Sequence, residues 1–130
     1  MTTDLTYLAY TAMLTAALWI PYVIALVTSE PPKAEHYIDP TVPRTVPLWG
    51  KRANRAHLNA VEAFAPFAAL VLVAHIAGKS NAWTGYLAMS YFWLRVAHAI
   101  VQIAGVPYLR TVIFTLGFIA VAGIFWQVIA

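Results

Sequence analysis

The sequence predicts an all-α integral membrane protein: an up-down four-helix bundle with both termini on the non-cytoplasmic side. Three observations point there. Hydrophobic residues make up 62% of the 130 and charged residues only 10%, against roughly 25% charged in an ordinary soluble domain. Four apolar segments approach or exceed the roughly 20 residues that cross a bilayer's hydrocarbon. The basic residues gather on one side of those segments. A soluble fold of one small domain would have too much apolar surface to hide, because a large share of its residues must face solvent. The bilayer is therefore the solvent.

The first span, LTYLAYTAMLTAALWIPYVIALVTS (5–29), carries no charge. Pro21 should kink it rather than end it, since membrane helices tolerate proline. The run does not fit a secretory signal: Asp4 but no Lys or Arg precedes it, and it is too long. Residues 30–51 contain five prolines, a density that cannot continue a helix, so a loop in water is expected. A second helix is expected over about 52–77, closed by Gly78-Lys79-Ser80-Asn81. The third should cover about 82–104, broken by Gly105-Val106-Pro107. The last should cover about 108–129, in a stretch whose final residues, 111–130, carry no charge. Two short connections make neighbouring helices antiparallel within a single domain, 1–130.

Lys33, Arg44, Lys51, Arg52 and Arg55 lie in or beside the long loop, and Arg110 follows the third helix; Lys79 stands alone on the opposite side. The positive-inside rule then puts the loop in the cytoplasm. Trp49 and Trp83 fall near the expected interfaces. With net charge +3 placed in this way, no nucleic-acid partner is expected. There is no cysteine, which excludes disulfides and a protein thiol nucleophile; sulfur chemistry would need a ligand's thiol. The four histidines form no metal-like cluster, so no metal is expected. His36 reads as a surface residue and His75 as a packed one. No phosphate loop, nucleophile elbow or Ser–His–Asp arrangement is present.

Ionisable groups at bilayer depth are costly and point to function. Arg55, Asn59 and Glu62 share one face of the second helix, and Arg95, His98 and Gln102 share one face of the third. Counted from the expected helix ends at Arg52 and Gly105, Glu62 and Arg95 both lie ten residues in, at about 15 Å. The same count matches Asn59 with His98 and Arg55 with Gln102. A structural intramembrane pair of Glu62 with Arg95 is therefore expected, below rungs that stay open to a ligand.

Arg55-Ala56-x-x-Asn59-x-x-Glu62, opening a second span after a proline-rich loop, and Arg95-Val96-Ala97-His98 on the third, resemble the MAPEG family. These are membrane-associated proteins of eicosanoid and glutathione metabolism, among them the microsomal glutathione transferases. The resemblance covers nearly the whole chain. It implies a homotrimer in a bacterial inner membrane or an endomembrane, with glutathione as co-substrate bound between adjacent subunits. Arg55, Asn59, Glu62, His98, Gln102 and His57 would hold glutathione, and Arg110 would activate its thiol. The second substrate would be a small hydrophobic electrophile arriving through membrane lipid, conjugated or, in a peroxidase-like reaction, reduced. Ala63, His98 and Gln102 stand where glutathione-binding members usually carry tyrosine. The family also includes non-catalytic lipid-binding members, which supplies the second reading. A transporter would need a polar path across the whole bilayer, and the polar stripes stop near mid-depth.

Overall fold

The computed structural model describes residues 1–130 and is entirely helical, with no strand. Its elements are α1 (Thr3–Ala17), α2 (Trp19–Ser29), α3 (Ala34–Ile38), α4 (Leu48–Ile76), α5 (Ala82–Ala104) and α6 (Leu109–Ile129). Four stretches are long and apolar enough to cross a membrane: Thr3–Ser29, Leu48–Ile76, Ala82–Ala104 and Leu109–Ile129. The all-α, four-span expectation is met. At the centre α4 and α5 lie together; α1 and α6 touch both, and α2 packs on α4.

Local chemistry explains each boundary. The first span breaks at Leu18, between α1 and α2. Pro21 lacks the N–H that the Ala17 carbonyl would accept, and its ring crowds that carbonyl, so the ladder parts one turn upstream of the proline. The expected loop over 30–51 is shorter in the structure. It contains the five-residue α3, and α4 begins at Leu48, one turn before the expected start at Arg52. The fifth proline is the reason. Pro47 has φ −63°, and its carbonyl accepts from Gly50 N (2.9 Å) and Lys51 N (3.1 Å). A proline at a helix start loses no bond and presets φ, so it opens the helix that proline density seemed to forbid. At the head of α5, Asn81 Oδ1 accepts from Trp83 N and Thr84 N, a capping arrangement typical of asparagine.

Packing relies on small residues and one aromatic stack. Phe67 of α4 lies against Tyr91 of α5 at 3.9 Å between ring centroids and 16° between planes. Val71, Ala88, Ala120 and Ile124 close around them. The Tyr91 hydroxyl, buried in hydrocarbon, donates to the Ala63 carbonyl at 3.1 Å. Where α2 crosses α4, a Cβ on Gly50 would stand 2.6 Å from Ala25 Cβ; only glycine permits that approach.

The two ends of the bundle are fastened differently. At the terminal end, the turn between α4 and α5 holds both termini. Asp4, 1% exposed, accepts from Thr2 Oγ1, Ser80 Oγ, Thr84 Oγ1 and Leu5 N. Lys79 Nζ donates to the Ala130 carbonyl at 3.1 Å, and Asn81 Nδ2 to Gln127 Oε1 at 3.0 Å. At the loop end, Glu30 straps the long connection by accepting from Thr45 N (2.8 Å). That bond, with the charges of Lys33 and His36 nearby, holds its carboxyl below the usual range. Gly105, at φ +77°, closes α5. Tyr108, at φ 65° and ψ −40°, opens α6 through a tight turn in which Leu109 N donates to the Pro107 carbonyl at 2.7 Å. Such a backbone costs about 1–3 kcal/mol.

Two stability outcomes follow. Asp4→Ala strips four donors of their acceptor and should cost about 2–4 kcal/mol, read as a lower unfolding midpoint in detergent, with Asp4→Asn milder. Gly50→Ala should cost about 1–3 kcal/mol through the clash with Ala25. An unchanged midpoint for either variant would contradict the packing described.

Candidate functional site

Two adjoining cavities lie between α4, α5 and α6. The first, of about 250 Å³, opens toward the loop end and is walled by Arg55, Asn59, His98, Gln102, Arg110 and Thr111, with Phe114 as its only hydrophobic wall. The second, of about 310 Å³, lies deeper and is mainly apolar, with Pro66, Tyr91, Phe118 and Val121 prominent; Glu62 and Arg95 also line it. Asn59 and Phe114 belong to both walls. The pair forms one continuous groove, cationic at one end and greasy at the other.

Helix geometry places these side chains. Arg55, Asn59, Glu62 and Pro66 fall at i, i+4, i+7 and i+11, one face of α4. His98, Gln102 and Arg95 are almost wholly buried on α5, at 3%, 7% and 5% exposure. Arg55, Glu62 and Arg110 are exposed on this chain, and Asn59 is half-buried. Arg95 Nη2 donates to Asn59 Oδ1 at 2.7 Å, and Arg110 Nη1 to Gln102 Oε1 at 3.2 Å. His98 Nδ1 is buried with no hydrogen-bond partner in the chain.

The expected pair of Glu62 with Arg95 is not formed. Arg95 is bonded to Asn59, and Glu62 accepts no hydrogen bond within the chain. The error lies in the assumed start of the helix. Counted from Leu48, where α4 begins, Asn59 lies eleven residues in, level with Arg95 ten residues from Gly105. Glu62 is then one turn deeper and unpaired. The residues of the other two rungs, Asn59 with His98 and Arg55 with Gln102, line one cavity together, and Gln102 is bonded to Arg110 of α6. His57 does not reach the cavity wall. Two residues from both Arg55 and Asn59, it points about 200° away around the helix; it is half-buried there, its Nδ1 unpartnered.

Sequence reasoning missed Thr111, Phe114 and Phe118. Arg110, Phe114, Phe118 and Val121 do recur at helical spacing, but in a helix apolar all round nothing distinguishes the inward face. Chemically, a cavity with two arginines and no carboxylate in its wall calls for an anionic ligand, since guanidinium binds carboxylates and thiolates with charge-assisted bonds. The adjoining apolar walls suit a hydrophobic group. Among the described residues no cluster of histidines and carboxylates could hold a metal.

A family model described as the MAPEG family matches residues 7–130, essentially the whole chain. No curated protein and no solved structure matches it.

The Arg95–Asn59 bond has a direct stability signature. Asn59→Ala leaves a buried guanidinium without its acceptor and should cost about 3 kcal/mol. Glu62→Gln should stay within about 0.5 kcal/mol. Thermal unfolding in detergent separates the two, and the reverse ranking would restore the Glu62 pair.

Proposed function

The chain belongs to the MAPEG family, and from that premise we propose that it is a membrane-embedded glutathione transferase that activates the glutathione thiol for attack on lipophilic electrophiles. The observation that carries this reading is the groove itself: an arginine-walled polar cavity running into an apolar one through the shared Asn59 and Phe114. Glutathione bears two carboxylates, an ammonium and a thiol. Arg55 suits a carboxylate bidentately. Glu62 is free to accept from the ammonium because Arg95 is engaged by Asn59. Asn59 and the buried His98 and Gln102 supply further polar contacts.

Arg110 stands in the first turn of α6, steadied by Gln102. Its charge and the positive end of the helix dipole both favour thiolate over thiol. The thiolate is the attacking species. With a chloronitroarene, sulfur bonds to the ring carbon, chloride leaves with the bonding pair, and the thiol proton passes to water. The electrophile enters from lipid into the apolar cavity beside Phe118. In this reading the loop end faces the cytoplasm, as its basic residues favour, and three copies assemble so that a neighbour covers the exposed faces of Arg55 and Glu62.

A second reading has its own support. The apolar cavity is the larger of the two, so one amphiphile with an anionic head would fill both without glutathione. In that case the protein binds lipid and does no chemistry.

Calorimetric titration of the detergent-solubilised protein with glutathione, followed by a conjugation assay, decides between them. Arg55→Ala should weaken binding at least about tenfold, as expected for loss of a charge-assisted bond. Arg110→Ala should keep binding yet lower turnover about 100-fold. If glutathione does not bind at millimolar concentration, the transferase reading fails and the amphiphile reading stands.

A further inference from the structure

A third cavity, of about 540 Å³, opens at the loop end between the close of α5 and the start of α6. Arg52 and Arg110 flank it, with Gly105, Val106, Pro107 and Tyr108 forming its rim. No carboxylate lines it. It adjoins the polar cavity of the proposed active site, sharing Gln102, Arg110 and Thr111 with it, whereas Arg52 lines the loop-end cavity and not the polar one.

The feature that needs explaining is how firmly Arg52 is set. Its Nε donates to the Ile103 carbonyl at 2.8 Å. Its guanidinium carbon lies 3.0 Å from where a Cβ on Gly105 would stand. The glycine is thus doubly required there, by its positive φ and by the arginine lying across it. A charge that served only to orient the chain in the membrane would need no anchor. With Nε tied down, the two terminal nitrogens have no hydrogen-bond partner in the chain and remain available to the cavity. The Arg110 N–H, in the first turn of α6, also lacks a backbone acceptor. Tyr108, 84% exposed, stands on the rim where the chain passes between two spans. An amphipathic ring is favoured at that depth, among lipid headgroups.

We propose that this loop-end cavity binds the phosphate of an anionic membrane lipid. The phosphodiester sits between Arg52 and Arg110, and its acyl chains run down the lipid-facing side of α6 past the exposed Val112 and Leu116. Planar guanidinium matches phosphate oxygens bidentately, and basic pockets between membrane helices recognise such headgroups. Pre-fixing Arg52 reduces the ordering cost of binding. The site shares Arg110 with the proposed transferase reading, but Arg52 takes no part in that catalysis, so lipid binding can be tested without glutathione and can fail without it.

Native mass spectrometry of the detergent-solubilised full chain tests it, with phosphatidylglycerol, phosphatidylcholine and inorganic phosphate titrated in parallel. Phosphatidylglycerol should bind at about tenfold lower concentration than phosphatidylcholine, and inorganic phosphate should not displace it. Arg52→Gln keeps a donor for the Ile103 carbonyl but removes the charge, and should abolish the preference. Arg55→Ala, in the other cavity, should leave it intact. Equal binding of the two lipids would overturn the proposal, as would a preference that survives Arg52→Gln. Displacement by inorganic phosphate would assign the site to the free anion instead. The comparison of lipids on the unaltered chain decides the matter even if Arg52→Gln does not fold.

Discussion

Arg95 carries a charge into the membrane-spanning part of the bundle, where it is 5% exposed. A guanidinium so placed must find acceptors within the protein, and the acceptor it finds is the amide of Asn59 on the neighbouring helix. That bond sets the register of α4 against α5. With the register set, Arg55 stands one turn nearer the loop end, beside the pocket that Gln102 and Arg110 share. Glu62 is carried one turn deeper, into the wall of the apolar cavity, without a partner of its own. The split of the groove into a cationic and an apolar half follows from one side-chain contact.

The same demand for internal partners shapes the rest of the bundle. Thr11, Thr15, Thr28 and Thr115 all return their hydroxyls to the carbonyl four residues back, so none of these four donors is left bare in lipid. Asp4 spends its carboxylate on three hydroxyls and a backbone N–H rather than on a cation. At the opposite end Arg52 satisfies the last turn of α5. Leu72, Phe118, Trp126 and the other exposed apolar side chains make sense as a surface that faces lipid.

Much of this was legible from residue order alone. Four long apolar runs, the Gly105 break and the shared polar faces of the two central helices all rest on periodicity and composition, which survive folding. What was misread turned on a boundary. Proline density over 30–51 argues for loop, yet Pro47 is as good an opening to a helix as an end to one, and the extra turn brings Asn59 to Arg95 in place of Glu62. The resemblance brings His57 to a site shared with a neighbouring subunit; within one chain it stands on the far side of α4 from the cavity. Phe114 and Phe118 were invisible because an entirely apolar helix does not show which side faces protein.

The decisive contact, and with it the layout of the groove, is open to a double-mutant cycle read by unfolding free energy in detergent. Asn59→Ala and Arg95→Gln, singly and together, should show a coupling of more than about 1 kcal/mol, because the two side chains share a bond. The parallel cycle of Glu62→Gln with Arg95→Gln should be additive. Strong coupling in the second cycle and none in the first would mean that the helices meet in a different register, and the two cavities would lose their common wall.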